Sequence, residues 1–500
     1  MKIRKGFIAA VFIVLLTAFA IFPAQSEAAN YSLVQVMDSD TVLVNGTPYT
    51  YAGFEATINI PGNTIGTLSF YNGSLYSFTS NVDSIGSLTV EAGANVDLLN
   101  PLGSANVTVN GGTIIGDVDT LGTVTVNGGS IEAAVLNPSL VSATNVSEIN
   151  SAGNAVVGTS GNVNITDSSV TAAGGVGIHS TGGSVTVTGS VISADQDAIL
   201  YTDSNVTVTD SELTAGLDGI TETGGSVTVT GSIIEADSDA IYGTDHNVTV
   251  TDSGLFASEN GIINTGGSVT VTDSGIFAMG HGISDTGGNV TVTGASSIIY
   301  GDMGGIYDTD GYVQIGTGVT VDGGEGAAIS GTGGSVVVGS ALGGATISGA
   351  EGIVDTGGDL TVIKSDITAD DGDGIRGVSG YADISDSTIT AYAGDGINVD
   401  GASGVEIDTV TVNSGYDGII ATNTGSGGVT IRDTSVTAGG VGIDASGSAG
   451  VVEITDTYVD AGGDGIVLSN TSVYGNVINN LDITAGEDGL VAENTSSLTV

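Results

Sequence analysis

The sequence predicts an all-β protein wound as a solenoid, a parallel β-helix with three short strands in each coil of about 21–24 residues. Two observations predict this fold. A repeat of that length fills most of the chain, and apolar residues inside each repeat alternate with polar ones. Composition agrees, because 83 glycines without the every-third spacing of collagen are too many for a helical protein.

The repeat is clearest in the middle of the chain, where the tetrapeptide Val-Thr-Val-Thr recurs in steps of 21 residues. Its copies begin at Val185, Val206, Val227, Val248, Val269 and Val290. Degenerate copies in steps of 22 to 24 residues begin at Val163, Val313, Val336, Leu360, Ala382, Val405, Val429, Val452, Asn476 and Leu498. The constant period indicates that one structural unit is repeated.

Each unit contains three apolar runs. In the unit that begins at Val206, the apolar positions are Val206, Val208, Leu213, Ala215 and Ile220. Spacing of two within a run is the period of a strand, and Gly, Asp, Ser and Asn between the runs suit turns. A single unit would bury too little apolar area to offset its ordering entropy, so the units must stack.

Two other repeat folds fit the residues less well. Leucine-rich repeats need a Leu-x-x-Leu-x-Leu frame followed by Asn, whereas this chain has Val-x-Val and Ile-x-Ala. A β-propeller needs units of about 40 residues, and residues 185–226 do resemble residues 227–268. Each half still repeats the same template, so we interpret this relation as a two-coil duplication.

The N-terminus predicts a secretory signal peptide over residues 1–28. Lys2, Arg4 and Lys5 precede an apolar run over 7–22, and small residues follow. An uncleaved membrane anchor is the alternative. No second stretch of about 18 apolar residues follows, so we expect a secreted or cell-surface protein without a transmembrane segment after cleavage.

The rest of the chain divides into three predicted regions. Residues 29–60 are strand-rich, carry the hairpin signal Asn45-Gly46 and predict an N-terminal β cap. Residues 61–160 predict shorter, irregular coils, and residues 161–500 predict the regular β-helix. The last predicted strand begins at Leu498, so we expect the polypeptide to continue beyond Val500.

Charge and cysteine content limit the partners. The formal net charge is −50, which disfavours nucleic acid and anionic lipid and leaves cations, basic proteins, an extracellular surface or neutral glycans. The chain has no cysteine, so it has neither a disulfide framework nor a thiolate metal site.

At the level of motifs, the units resemble the repeats of the right-handed parallel β-helix, or pectin-lyase-like, superfamily. The elements that carry the resemblance are Asp210-Ser-x-Leu-x-Ala and Asp218-Gly-Ile, with copies such as Asp464-Gly-Ile. The resemblance covers about residues 160–500. Proteins with this fold include bacterial surface adhesins and autotransporter passengers, which the repeats also resemble. Right-handedness follows from the resemblance and from the general rule for parallel crossovers. The fold hosts unrelated activities, so function stays open.

Two polar columns run along the predicted axis. The position before the first strand alternates Ser and Asn and predicts an axial ladder; the alternative is glycosylation, because sequons begin at Asn106, Asn164, Asn205, Asn247 and Asn289. A second column is mostly Asp, in Asp-Gly turns that either point into solvent or are bridged by cations. Its densest part predicts a calcium site at Asp370, Asp371, Asp373 and Asp395, and no other cofactor is expected.

Catalytic signals are sparse, and whether the chain is an enzyme stays open. His281 lies in a Gly-His-Gly tripeptide that polygalacturonases also carry, but no Arg-x-Lys accompanies it. Lys364 and Arg376 share one predicted coil with the acidic turn. Basic and acidic residues together could form a polysaccharide lyase site, and the alternative is an internal salt link.

The leading hypothesis is a structural or adhesive surface protein, because the coil length varies by only a few residues. The alternative is a carbohydrate-binding or polysaccharide-degrading β-helix protein, which clustered aromatic residues would favour. Tyr300, Tyr307 and Tyr312 form the one cluster that is evident in the sequence.

Overall fold

A computed structural model describes residues 30–37, 41–45, 47–50, 58–60, 64–71, 75–80, 84–99, 101–471, 475–495 and 498–500. The chain forms two compact units, residues 1–225 and residues 226–500. All regular elements of the described residues are strands, and each unit is a parallel β-solenoid with three sheets, here named A, B and C in the order in which a coil visits them.

In unit 1 the strands of sheet A are Asn30–Val36, Thr41–Val44, Thr47–Thr50, Thr64–Phe70, Ser84–Glu91, Asn106–Asn110, Thr123–Asn127, Leu140–Thr144, Val163–Thr166, Val185–Thr188 and Val206–Thr209. Those of sheet B are Ile58–Ile60, Leu75–Ser80, Asn95–Leu98, Thr113–Ile114, Ser130–Ile131, Glu148–Ser151, Ser169–Ala172, Val191–Ala194 and Glu212–Ala215. Those of sheet C are Val118–Asp119, Val135–Leu136, Val156–Val157, Ile178–Thr181, Ile199–Thr202 and Ile220–Thr223.

In unit 2 the strands of sheet A are Val227–Thr230, Val248–Thr251, Val269–Thr272, Val290–Thr293, Val313–Ile315, Val336–Gly339, Leu360–Ile363, Tyr381–Ser385, Gly404–Asp408, Val429–Arg432, Val452–Thr455, Asn476–Asn479 and Leu498–Thr499. Those of sheet B are Ile233–Ala236, Gly254–Ala257, Gly275–Ala278, Ile298–Gly301, Thr320–Asp322, Thr346–Gly349, Asp366–Ala369, Thr388–Ala391, Thr411–Ser414, Ser435–Ala438, Tyr458–Ala461 and Asp482–Ala485. Those of sheet C are Ile241–Thr244, Ile262–Thr265, His281–Thr286, Gly304–Thr309, Ala327–Thr332, Glu351–Thr356, Ile375–Val378, Ile397–Asn398, Ile419–Ile420, Ile443–Asp444, Ile466–Ser469 and Leu490–Glu493.

Successive coils stack in parallel with equivalent residues in register. In unit 2, Val248 pairs with Val269 and Val269 with Val290, and the neighbouring positions of these strands follow the same register. Each strand therefore completes its hydrogen-bond ladder with its own copy one coil away, which a single unit could not do. The predicted fold, with three short strands per coil, is confirmed.

The predicted inward positions form the core. In the coil that begins at Val206, the side chains of Val206, Val208, Leu213, Ala215 and Ile220 are all buried. The residues that alternate with them within the strands, Thr207 and Thr214, point outward, as the period of two requires. Val and Ile dominate these columns, because β-branched side chains pack well on a pleated surface.

The N-terminal part contains three antiparallel strands, because Asn30–Val36 pairs antiparallel with Thr41–Val44. Strands Thr41–Val44 and Thr47–Thr50 pair antiparallel on either side of Asn45, whose φ of 49° is the left-handed conformation that a tight hairpin turn needs. Strand Asn30–Val36 pairs in parallel with Thr64–Phe70. The capping role of this region and the division at residue 160 stay predictions, and the predicted signal peptide over 1–28 lies outside the described residues.

A buried serine column follows sheet A and was not predicted from the sequence. The Ser253 hydroxyl donates to the Thr251 carbonyl oxygen at 2.6 Å and accepts the backbone N–H of Ser232, one coil earlier, at 3.1 Å. Ser253 in turn donates its own N–H to the Ser274 hydroxyl at 3.1 Å. One side chain thus satisfies the turn carbonyl of its own coil and the turn N–H of its neighbour.

The Ser and Asn column before sheet A also bonds along the axis. Asn247 accepts the backbone N–H of Ser268 at 2.9 Å, Ser268 accepts that of Asn289 at 3.1 Å, and Asn289 accepts that of Tyr312 at 3.0 Å. Each bond joins a side-chain oxygen to the backbone of the next coil, whereas the sequence suggested bonds between side chains. The turn that enters sheet A is therefore tied to its neighbour along these four coils.

Candidate functional site

The acidic column between sheets B and C forms a ladder of carboxylates and backbone amides. Oδ1 of Asp373 accepts the backbone N–H of Asp395 at 2.8 Å, and Oδ1 of Asp395 accepts that of Asp417 at 3.1 Å. Oδ1 of Asp417 accepts the N–H of Val441 at 2.7 Å. Each carboxylate therefore caps the equivalent position of the next coil, an arrangement that the sequence did not suggest.

These hydrogen bonds lower the pKa of the carboxyl groups, whereas burial and neighbouring negative charge raise it. Burial raises the pKa of the Asp395 carboxyl, and the charges of Asp373 and Asp417 act in the same direction. The bond from the Asp417 backbone and the 3.1 Å bond from the Asn398 amide oppose the rise. Burial likewise raises the pKa of Asp197 in unit 1, whose carboxylate accepts the N–H of Asp218 at 3.0 Å. In this column, burial and like charge therefore favour the neutral carboxyl groups, and the backbone hydrogen bonds favour the carboxylates.

The four residues of the predicted calcium site occupy two settings. Asp373 and Asp395 belong to the carboxylate ladder, whereas Asp370 and Asp371 are exposed on the turn that precedes Asp373. Among the residues that the structure describes, no group of three or more His, Cys, Asp or Glu side chains is arranged to hold a metal ion. Calcium at these residues stays a prediction.

The basic residues near this turn are held in ion pairs. Nη2 of Arg376 lies 3.0 Å from Oε1 of Glu351, and its Nε lies 3.5 Å from Oδ2 of Asp373. Lys364 instead faces Asp386, with 3.9 Å between Nζ and Oδ2. The guanidinium of Arg376 therefore contacts two carboxylates. This arrangement matches the internal salt link, which was one of the two alternatives from the sequence; the other was a lyase site.

His281 occupies the acidic column in place of an aspartate. Its backbone N–H donates to Oδ1 of Asn260 at 2.9 Å, and its ring stacks on that of Tyr307 with 4.6 Å between centroids. Burial lowers the pKa of the imidazole, against the opposing charge of Asp285, so the ring stays neutral near pH 7. Its contacts are those of a packed column residue.

The three tyrosines that are neighbours in sequence lie on different faces. Tyr300 belongs to a strand of sheet B, Tyr307 to a strand of sheet C, and Tyr312 to the turn that enters sheet A. The stacking of coils instead brings together aromatic residues at equivalent positions of adjacent coils. The aromatic cluster of unit 2 therefore differs from the one that is evident in the sequence.

We name this cluster the aromatic ridge; it consists of Phe256, Phe277 and Tyr300 on the outer face of sheet B in unit 2. Phe256 pairs with Phe277 and Phe277 with Tyr300 in adjacent strands. The two phenylalanine rings are stacked, with 5.4 Å between centroids and 9° between planes. Phe256 is 42% exposed, so the ridge presents ring carbon atoms to solvent. The signal in the sequence is the spacing of one coil.

Glycines make room for the two phenyl rings. A Cβ at Gly254 would lie 2.9 Å from Cε2 of Phe256, and a Cβ at Gly275 would lie 2.6 Å from Cε2 of Phe277. Both distances are too short for real atoms, so each ring leans over the glycine two positions earlier in its own strand. Neighbouring coils have isoleucine at this position, Ile233 and Ile298.

The ridge has an apolar flank and acidic ends. Ile233 and Ile298 are 44% and 38% exposed and lie beside the rings on the same face. Within the ridge's own column, Glu235 precedes Phe256 and Asp322 follows Tyr300 in register. The surface thus combines partly exposed apolar carbon with carboxylate oxygens at both ends.

These features define the class of protein: a parallel β-solenoid whose coils present uniform columns of side chains. Residues 395–500 match the family model described as a right handed beta helix region, which gives the hand of the coils. Solenoid and match together fit the pectin-lyase-like superfamily that the sequence resembles. Neither curated proteins nor solved structures give a match to this chain. None of the described residues forms a helix long and apolar enough to cross a membrane.

Proposed function

We propose that this chain is a secreted or cell-surface adhesive solenoid that binds neutral glycans along the aromatic ridge. The observation that carries the proposal is the in-register column of Phe256, Phe277 and Tyr300 with an acidic residue at either end. Secretion rests on the signal peptide predicted over 1–28. The uniform coils support a scaffold role.

The chemistry of the ridge suits sugar rings. A pyranose ring has faces of C–H groups that pack against aromatic carbon, and hydroxyl groups around its edge that donate hydrogen bonds. The exposed ring of Phe256 and the half-buried ring of Phe277 supply the first contact, and the carboxylates of Glu235 and Asp322 supply acceptors for the second. Apolar side chains that lie side by side at the surface, rimmed by polar groups, favour an interaction surface.

Charge selects among glycans. The chain carries a formal net charge of −50, and both ends of the ridge are acidic. Uronate polymers would meet like charge, whereas neutral polymers such as cellulose, chitin or xylan would not. Neutral polysaccharide is therefore the expected ligand, and no catalytic turnover is required.

Retention on insoluble cellulose, chitin and xylan tests the proposal, with soluble polygalacturonate as the charged comparison. We expect the full chain to bind a neutral polymer, and the double variant Phe256→Leu/Phe277→Leu to lose about tenfold or more in affinity, because aromatic contacts dominate such interfaces. Leucine keeps the site apolar and removes only the rings.

A matched control removes two exposed rings elsewhere in unit 2. Tyr392 and Tyr416 are 67% and 61% exposed on turns, and Tyr392→Ala/Tyr416→Ala should bind as the unaltered chain does. The proposal is contradicted if the unaltered chain binds none of the three neutral polymers, or if both double variants weaken binding equally.

A further inference from the structure

A second outer face of unit 2 has an unusual regularity. Four successive strands of sheet A have threonine at both outward positions, and the valines between them are buried. We name these side chains the threonine array. Its members are Thr228, Thr230, Thr249, Thr251, Thr270, Thr272, Thr291 and Thr293.

The array is periodic in two directions. Thr249 pairs with Thr270 and Thr270 with Thr291, and the second column pairs in the same way. Parallel strands lie about 4.8 Å apart, and two threonines in one strand lie about 6.6 Å apart at about 3.3 Å per residue. The side chains therefore repeat on a nearly rectangular lattice, and in the second column the hydroxyl groups of Thr272 and Thr293 hydrogen-bond to each other at 3.2 Å.

The array is also rigid before it meets any partner. Threonine is branched at Cβ, which restricts χ1, and each side chain is half-buried between equivalent neighbours. The strand backbone beneath it is fixed by hydrogen bonds to coils on either side. Little conformational entropy is left to lose on binding, which favours recognition of a rigid surface.

No charged side chain lies within the array. The third outward column beside it contains Ser268 and Asn289, whose oxygen atoms already accept backbone N–H groups of the next coil. Carboxylates lie in the turns on both sides of the array, at Asp245 before it and at Asp252 and Asp273 after it. In a chain of net charge −50, such a neutral face stands apart.

These properties point to a crystalline partner. Small ligands bind in concave sites, whereas this face belongs to one regular sheet without inserted loops. The surface of ice presents oxygen atoms at fixed repeat distances. One of these distances is close to the spacing between adjacent strands, and another is close to the length of two residues along a strand. Threonine hydroxyls can occupy such positions while the methyl groups order the water between them, and charged groups would disrupt the lattice.

We propose that the threonine array of unit 2 binds the surface of ice. The inference is independent of the glycan proposal, because the aromatic ridge lies on sheet B and the array on sheet A. In unit 1 the same Thr-Val-Thr motif occurs in two paired strands, Val185–Thr188 and Val206–Thr209, and so extends over fewer coils.

Partitioning of the full chain into a slowly growing ice hemisphere, together with thermal hysteresis and ice recrystallisation, tests this proposal. We expect the unaltered chain to enter the ice and to slow recrystallisation. Thr249→Lys/Thr270→Lys should reduce both effects to the level of buffer, because two long charged side chains interrupt the lattice. Thr249→Val/Thr270→Val keeps the shape and should weaken binding by removing hydroxyl groups.

The control places the same change on another sheet. Thr368 and Thr390 are half-buried, outward-facing and paired in adjacent strands of sheet B, so Thr368→Lys/Thr390→Lys should leave ice binding intact. Exclusion of the unaltered chain from ice would overturn the proposal, as would equal loss in both lysine variants. Self-association that the array variant abolishes, without any effect on ice, would assign the array to a second copy of this chain instead.

Discussion

Sheet A of unit 2 keeps one inner face but has two different outer faces. In the strands from Val227 to Thr293 the outward residues are threonines, whereas in the strands from Tyr381 to Thr455 several outward residues are charged. The inward residues are buried Val, Ile or Ala in both regions. The comparison shows that the core columns define the fold and leave the outer columns free to vary.

The charged region carries its own network. Arg432 lies between Glu406 and Glu453 of the neighbouring coils, with N–O distances of 3.6 and 3.5 Å. The Tyr381 hydroxyl donates to Oε2 of Glu406 at 3.5 Å, and burial followed by the charge of Glu406 raises the pKa of that tyrosine. One arginine shared by two carboxylates reduces repulsion along the column.

The largest expected effect tests the inner face. Ile431 is fully buried and Thr430, the next residue, points outward. We expect Ile431→Ala to lower the free energy of unfolding by about 2–5 kcal/mol, because it leaves a cavity in the core. Thr430→Ala should change it by less than about 0.5 kcal/mol. Urea unfolding of both variants measures the difference, and equal losses would break the comparison.

A smaller effect tests the outer face. Burial raises the pKa of Asp383, and the charges of Glu406 and Asp408 add to the rise. The folded chain therefore holds this proton more tightly than the unfolded chain, so stability falls as pH rises from the ordinary pKa of aspartate through the raised pKa of Asp383. Asp383→Asn removes this cost and should raise the melting temperature at pH 7.

The gain should shrink as pH falls and vanish below the unfolded pKa, where aspartate is protonated in both states. The exposed turn residue Asp371 provides the control, because Asp371→Asn removes a carboxylate that water solvates. A pH-independent gain, or an equal gain from both variants, would show that burial and neighbouring charge at Asp383 are not the cause.

The sequence was sufficient to predict columns whose chemistry follows from the period. Val206 and Ile220 are core residues because their positions recur one coil later, and the Asn247 column bonds along the axis for the same reason. Once the period was known, parallel stacking required equivalent residues to meet.

The sequence could not predict contacts that depend on the path of a turn. The Asp373 carboxylate caps the Asp395 N–H because the turn backbone aims it along the axis, and no residue pattern gives that direction. The aromatic ridge was missed for a different reason. Phe256 and Phe277 are 21 residues apart and meet only because they occupy equivalent positions of adjacent coils, whereas Tyr300 and Tyr307 are close in the sequence.

The most direct test of in-register stacking uses the absence of cysteine from the chain. Thr249 and Thr270 are paired in adjacent coils, about 4.8 Å apart, within the range of about 4.4–6.8 Å that a disulfide spans. Thr249 and Thr272 are offset by two residues, which places their Cα atoms about 8 Å apart. Oxidation of the full chain should cross-link Thr249→Cys/Thr270→Cys and leave Thr249→Cys/Thr272→Cys as free thiols. A cross-link in the offset pair alone, or in neither pair, would contradict the stacked register.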